Sequence, residues 1–144
     1  MKILDMHIHA ENSKPCPKNL LENMAKAGVF GGCVFSTPPF EQEFADGFIG
    51  GGLDFDARVR EVLSWCKGYE DRLFPILWVH PAEEDILSKV EKAAEAGIVG
   101  FKMICNNYFV YEAHSMALLR KIADLGKPVI FHTGILWDGK VSSA

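Results

Sequence analysis

The stretch Ile3-Leu4-Asp5-Met6-His7-Ile8-His9 decides how the rest of the chain is read. As a β-strand it sends successive side chains to opposite faces, with Leu4, Met6 and Ile8 on one and Ile3, Asp5, His7 and His9 on the other. The same asymmetry returns downstream. Val99, Phe101 and Met103 alternate with Gly100 and Lys102, and Val129 and Phe131 alternate with Ile130 and His132. A parallel sheet covered by helices on both sides would be apolar on both faces near its middle. One apolar face, and a second that turns polar toward the strand ends, predicts instead the arc of a barrel. Helices would lie outside it, and the polar residues would point inward at the C-terminal rim, where barrel catalytic groups sit.

Working outward, apolar or β-branched runs alternate with helix-period segments. Strands are expected at Lys2 to His7 or slightly beyond, Val29 to Ser36, Leu73 to Val79, Ile98 to Ile104 and Pro128 to His132. Helices are expected at Lys18 to Ala27, Asp54 to Gly68, a third opened by Pro81 and the acids Glu83, Glu84 and Asp85 and ended by Gly97, and Glu112 to Leu125. On the second helix Val59, Val62, Leu63 and Cys66 form the buried face, with Arg58, Arg60 and Glu61 largely off it. The order βαβαβαβαβ requires a parallel sheet with crossover helices. The long connection after Ser36, through Gly50-Gly51-Gly52, is a candidate lid. The expected fold class is therefore α/β, of the parallel (β/α) TIM-barrel type, with five units present over residues 1–144.

Size and composition bound the rest. The 144 residues are 49% hydrophobic and 24% charged, the balance of an ordinary globular domain. A net charge of −4, with no cluster of Lys and Arg, argues against nucleic acid as a partner. The N-terminus has neither the apolar core of a signal peptide nor a spanning segment, so the expected location is the cytoplasm, with no membrane partner. Cys16, Cys33, Cys66 and Cys105 form no C-x-x-C pair and read as free thiols. Strands start near residues 3, 29, 73, 98 and 128, about 30 residues per unit, so eight units would need roughly 240 residues. The chain is expected to be the N-terminal five-eighths of a barrel, with two open sheet edges that imply a partner subunit, a missing segment or marginal stability, a homo-oligomer among the possibilities.

Several side chains are candidates for chemistry. Two imidazoles at i and i+2 on a strand project to one side, roughly 7 Å apart along the backbone, and can converge on one cation; a hydrogen-bonded structural pair is the alternative. His132 ends another strand of the same sheet on the same expected face. Three neutral imidazoles suit zinc, or manganese or iron, with a coordination position left for water or substrate. Lys102, inward by parity on an apolar strand, can bind a substrate carboxylate, become carboxylated as a bridging ligand, or pair with an acid such as Asp5. Asp5 is placed behind the metal ligands, orienting an imidazole or neutralising Lys102. His80, before Pro81, either reaches substrate at the rim or serves the loop. Trp78, Phe101 and Tyr108 are candidates for a pocket wall or core. No G-x-S-x-G elbow, Walker A loop or G-x-G-x-x-G fingerprint is present.

The motifs ILDMHIH, GIVGFKM and LLRKIADLGKPVIFHTG resemble the amidohydrolase-related branch of the amidohydrolase superfamily, which is similar to aminocarboxymuconate-semialdehyde decarboxylase. The resemblance runs from strand one to strand five and is weakest between Thr37 and Asp54. It implies a TIM barrel, metal-ligand roles for His7, His9 and His132, a divalent metal that is usually zinc, and an unmodified Lys102. The strand-six His and strand-eight Asp that complete the family site have no counterpart here, so the general base is not assigned to any residue of this chain. The activity implied is metal-dependent hydrolysis or non-oxidative decarboxylation of a small organic acid, amide or related substrate. Two other readings compete. One is a deoxyribonuclease-like or phosphoesterase barrel, which also carries an N-terminal His-x-His. The other is a five-stranded flavodoxin-like binding module with structural histidines.

Overall fold

The computed structural model describes residues 1–9, 15–42 and 52–134. Five strands and four helices alternate: β1 (Leu4–His9), α1 (Pro17–Lys26), β2 (Gly31–Phe35), α2 (Phe55–Cys66), β3 (Leu73–Trp78), α3 (Ile86–Ala96), β4 (Gly100–Ile104), α4 (Ala113–Asp124) and β5 (Val129–His132). The expected order is therefore present, with most boundaries moved by one or two residues. Much of the proposed lid, residues 43–51, lies outside the described residues, as does the segment 135–144.

Local chemistry sets the helix ends. Pro17 opens α1, where its missing N–H costs nothing. Asp54 caps α2, its carboxylate accepting from Ala57 N at 2.7 Å. Gly97, at φ 115°, closes α3. The start of α3 departs from expectation. Pro81 to Asp85 form a turn with Asp85 at φ 52°, and the helix begins only at Ile86. Glu83 is withdrawn into the interior, where it pairs with Arg58. Arg58 itself is 1% exposed, contrary to the expected solvent-side placement, because this partner draws it inward.

All four strand pairings are parallel, in the order β1-β2-β3-β4-β5. A flavodoxin-like sheet would place β1 between β2 and β3, so that alternative is excluded. The helices also lie on one side only. Leu21 and Met24 of α1, Val59 and Val62 of α2, Val90 of α3, and Leu118 and Ile122 of α4 join Val34, Leu77, Phe101 and Met103 in one core. The other face carries a smaller cluster of Cys33, Phe35 and Ile76, with Phe74 and Ile130 against it. Sequential parallel strands with helices on one face make a curled half-barrel, and its concave side is the second face.

The parity expected for β1 fails at one point. Leu4 and Asp5 pair with Gly31 and Gly32, but Ile8 and His9 pair with Val34 and Phe35, so β1 carries one extra residue across this interval. This is a β-bulge. Met6 does not share a face with Ile8: its Sδ meets Cys33 Sγ at 3.8 Å on the concave side, while Ile8 packs against the helix-side core. Asp5 pairs with Gly32 and falls out of line with His7 and His9.

Gly31 and Gly32 permit this irregular, close pairing. A Cβ on Gly32 would overlap the Asp5 carbonyl oxygen and meet Ile8 Cδ1 at 2.7 Å. Gly32→Ala is therefore expected to destabilise the chain by about 1–3 kcal/mol, as overpacking does. A urea midpoint unchanged from wild type would show that the strand can yield without cost.

Candidate functional site

The bulge decides what stands on the concave side of β1. Both histidines face it, and their Nε2 atoms are 2.8 Å apart, one imidazole donating to the other. Below them lies Phe35, fully buried at the end of β2. Its ring centroid is 5.0 Å from that of His7 and 5.6 Å from that of His9. Lys102 Nζ sits 5.1 Å from the same centroid, in cation–π contact. One ring on β2 thus gathers two imidazoles from β1 and an ammonium from β4. Nothing singled out Phe35 in the sequence, although strand parity with Cys33, just before the Ser36-Thr37-Pro38 break, places it at the rim beside strand one.

Lys102 lies inward on β4, as parity predicted, and is 2% exposed. Burial pushes its pKa down. The possible pairing with Asp5 is not formed: Asp5 Oδ1 accepts instead from His7 N at 2.9 Å, bracing the bulge. Burial, then the charges of Lys102 and His9, lower His7 below its ordinary value, with Asp5 opposing. His132 pairs with Ile104 across β4 and β5, next along from Ile130 beside Lys102. It is lowered by burial first, then by Lys102 and His7. His7 and His132 are thus biased toward the neutral form, the one in which imidazole ligates metal. His7 and His9 fit a borderline divalent cation as two nitrogen donors already drawn to one point. Among the described residues, no three His, Cys, Asp or Glu side chains are grouped closely enough to hold an ion.

Beside this cluster stands Trp78, aligned with Lys102 and 6.1 Å from the His9 ring. Three side chains hold it. Trp78 N donates to Ser36 Oγ at 3.0 Å, its carbonyl accepts from Arg58 Nη1 at 2.5 Å, and its indole Nε1 donates to Gln42 Oε1 at 3.2 Å. Gln42 Nε2 donates in turn to Asn106 Oδ1. Asn107 Nδ2 donates to the Glu41 carbonyl at 3.0 Å. The loops after β2 and β4 are thereby joined over the end of β3.

His80 belongs to this belt. Its Nδ1 accepts from Ala82 N at 3.1 Å, which leaves the proton on Nε2 to donate to Asn107 Oδ1 at 3.1 Å. Its ring packs edge-on against Tyr108, 4.6 Å between centroids. These bonds tie His80 into the loops at the end of β3, the loop role weighed for it. Phe101 lies in the helix-side core, while Tyr108 lines a cleft of about 560 Å³ with Phe109, Tyr111, Phe131 and His132 at the ends of β4 and β5. The four cysteines are free thiols, as expected. No helix among the described residues is long and apolar enough to cross a membrane.

Comparison with known proteins places the fold. No family model matches the chain, and no curated protein does. A crystal structure of a probable 2-pyrone-4,6-dicarboxylic acid hydrolase from Acinetobacter baumannii, with citric acid bound, superposes with a TM-score of 0.58 at 16% identity. The match takes in 93% of this chain and 50% of that one, so the chain spans about half the length of that hydrolase. At this identity the likeness concerns architecture: the half-barrel described above corresponds to half of a hydrolase scaffold.

Proposed function

We propose that this chain carries the metal-binding portion of a TIM-barrel hydrolase or non-oxidative decarboxylase, with His7, His9 and His132 holding one divalent cation, zinc first and manganese or iron next. The observation that carries the reading is the convergence of His7 Nε2 and His9 Nε2 at 2.8 Å on the concave face, at the C-terminal end of a strand. That is where such barrels keep their chemistry. The likeness to a probable hydrolase supports the scaffold.

The chain's own residues have separable tasks. His7 and His9 present nitrogen donors, and Asp5 fixes His7 through its main chain. Phe35 and Trp78 wall the site on its apolar side. Lys102 supplies positive charge beside the imidazoles. A bound divalent ion supplies Lewis acidity toward water and toward a substrate carbonyl or carboxylate oxygen. No described residue near the cluster is placed to act as general base.

Titration of metal-free protein with Zn²⁺ tests the reading. One ion per chain and a melting temperature that rises with zinc are expected, because an ion at a hundred times its dissociation constant adds about 2.7 kcal/mol of stability. No retained zinc, manganese or iron, together with unchanged melting, would sink it.

A further inference from the structure

The bulge in β1 has a second effect, one residue before the imidazoles. By turning Met6 to the concave side it brings a thioether against the Cys33 thiol, sulfur to sulfur at 3.8 Å. The two sulfurs come from adjacent strands, β1 and β2, and differ in access: Met6 is exposed, whereas Cys33 is buried. Beside the thiol the wall is apolar, with Phe35 and Ile76 buried and Phe74 packed against them. Burial, then the negative charge of Asp5, push the Cys33 pKa up, so the sulfur keeps its proton at neutral pH.

Thiolate and thioether are soft donors, and they select soft ions such as copper(I). An ion about 2.3 Å from each sulfur, the ordinary metal–thiolate length, would hold the two, 3.8 Å apart, at an angle of about 110°. That is a bent pair, open to a further donor on the exposed Met6 side; a straight bridge would need roughly 4.6 Å. Charge then decides between ions. A monovalent ion that replaces the thiol proton adds no net charge to an apolar wall, whereas a divalent one adds a charge that burial penalises.

We propose that Met6 and Cys33 form a binding site for one copper(I) ion, which ties the bulged strand β1 to β2. The Cys33 S–H bond breaks and its proton leaves to solvent, a sulfur–copper bond forms, and Met6 Sδ donates a lone pair; copper stays monovalent throughout. The tie falls where the β1–β2 ladder is irregular, on a strand that β2 alone holds among the described residues. The site uses neither His7 nor His9, and it does not rest on the hydrolase reading.

The test is an anaerobic titration of the full chain with copper(I) buffered by bicinchoninate. The parent carries Cys16→Ser and Cys105→Ser, which remove the two thiols that are not buried. One retained ion is expected, with a shift of the Met6 ε-methyl resonance that persists in His7→Ala. Affinity should fall roughly tenfold in Met6→Leu and roughly a hundredfold or more in Cys33→Ala, the scale on which even non-ligating partners of a metal site are worth 10–100-fold. No retained copper(I), or a Met6 resonance that its binding leaves unmoved, overturns the proposal and makes the sulfur pair a packing contact only. Affinity unchanged in Cys33→Ala, or a Met6 shift lost in His7→Ala, also overturns it by placing the ion on the imidazoles. Should Cys33→Ala not fold, Met6→Leu decides, since it conserves volume at an exposed side chain, and affinity equal to the parent's there overturns the proposal. Zinc titration of Met6→Leu should match wild type, so the two readings fail separately.

Discussion

Alanine at His7 is expected to lower zinc affinity by roughly a hundredfold or more, a loss of about 2.7 kcal/mol or greater, since it deletes a ligand outright and outer partners alone are worth 10–100-fold. His7→Ala should melt close to the wild type when both are metal-free, because the side chain is exposed on the concave side and its contacts are with Phe35 and, through one hydrogen bond, the equally exposed His9. Asp5→Ala is the graded companion. It leaves all three imidazoles in place and removes the carboxylate that accepts from His7 N, so its loss should fall below that of His7→Ala. His132→Ala decides whether β5 takes part. If zinc affinity is the same in His132→Ala and wild type, the ion is held by β1 alone and the three-histidine assignment fails.

The second large effect concerns stability. Arg58 and Glu83 are both buried and bonded to each other; Arg58 also donates to Trp78 O, and Glu83 Oε1 accepts from His80 N at 2.8 Å. Burial pushes Glu83 up and Arg58 down, each against the attraction of its partner. Both directions say the same thing: removal from water outweighs pairing as a force on either charge. Glu83→Gln, which leaves the guanidinium without a counter-charge, should therefore cost about 3–5 kcal/mol. Domains commonly have only about 5–15 kcal/mol in total, so this single change removes a large share of the stability. Replacing both partners by Met and Leu should cost much less than the sum of the single changes. Urea denaturation of wild type, Arg58→Met, Glu83→Leu and the double variant gives the coupling directly, and additive losses would refute the assignment.

The architecture was readable in the sequence because every strand and helix carries its own local signal. Apolar alternation marks the strands, and Asp54 and Gly97 mark helix ends where the structure has them. What escaped were features set by long-range pairing. The burial of Arg58 depends on Glu83, 25 residues away in a turn, and the spacing of apolar residues in α2 contains no trace of it. The bulge in β1 was hidden for a similar reason, since strict alternation and an interrupted one give His7 and His9 the same face. A signal for it did exist. The doublet Gly31-Gly32 inside a strand marks close backbone approach, and it lies directly across from the irregularity. Lys102 was found because a lysine in an apolar strand stands out. Phe35, which organises the cluster, was missed because a phenylalanine there does not.

Because each strand touches only its neighbours in sequence, local opening should be graded across the sheet. β3 has neighbours on both sides and lies at the centre of both apolar clusters, whereas β1 and β5 are held from one side among the described residues. Amide protons of β3 should thus exchange slowest and those of β1 and β5 fastest. The histidines sit on those two outer strands. Any ligand that engages both would join the ends of the arc, and its arrival would be seen first as slowed exchange at residues more than 120 positions apart in the chain.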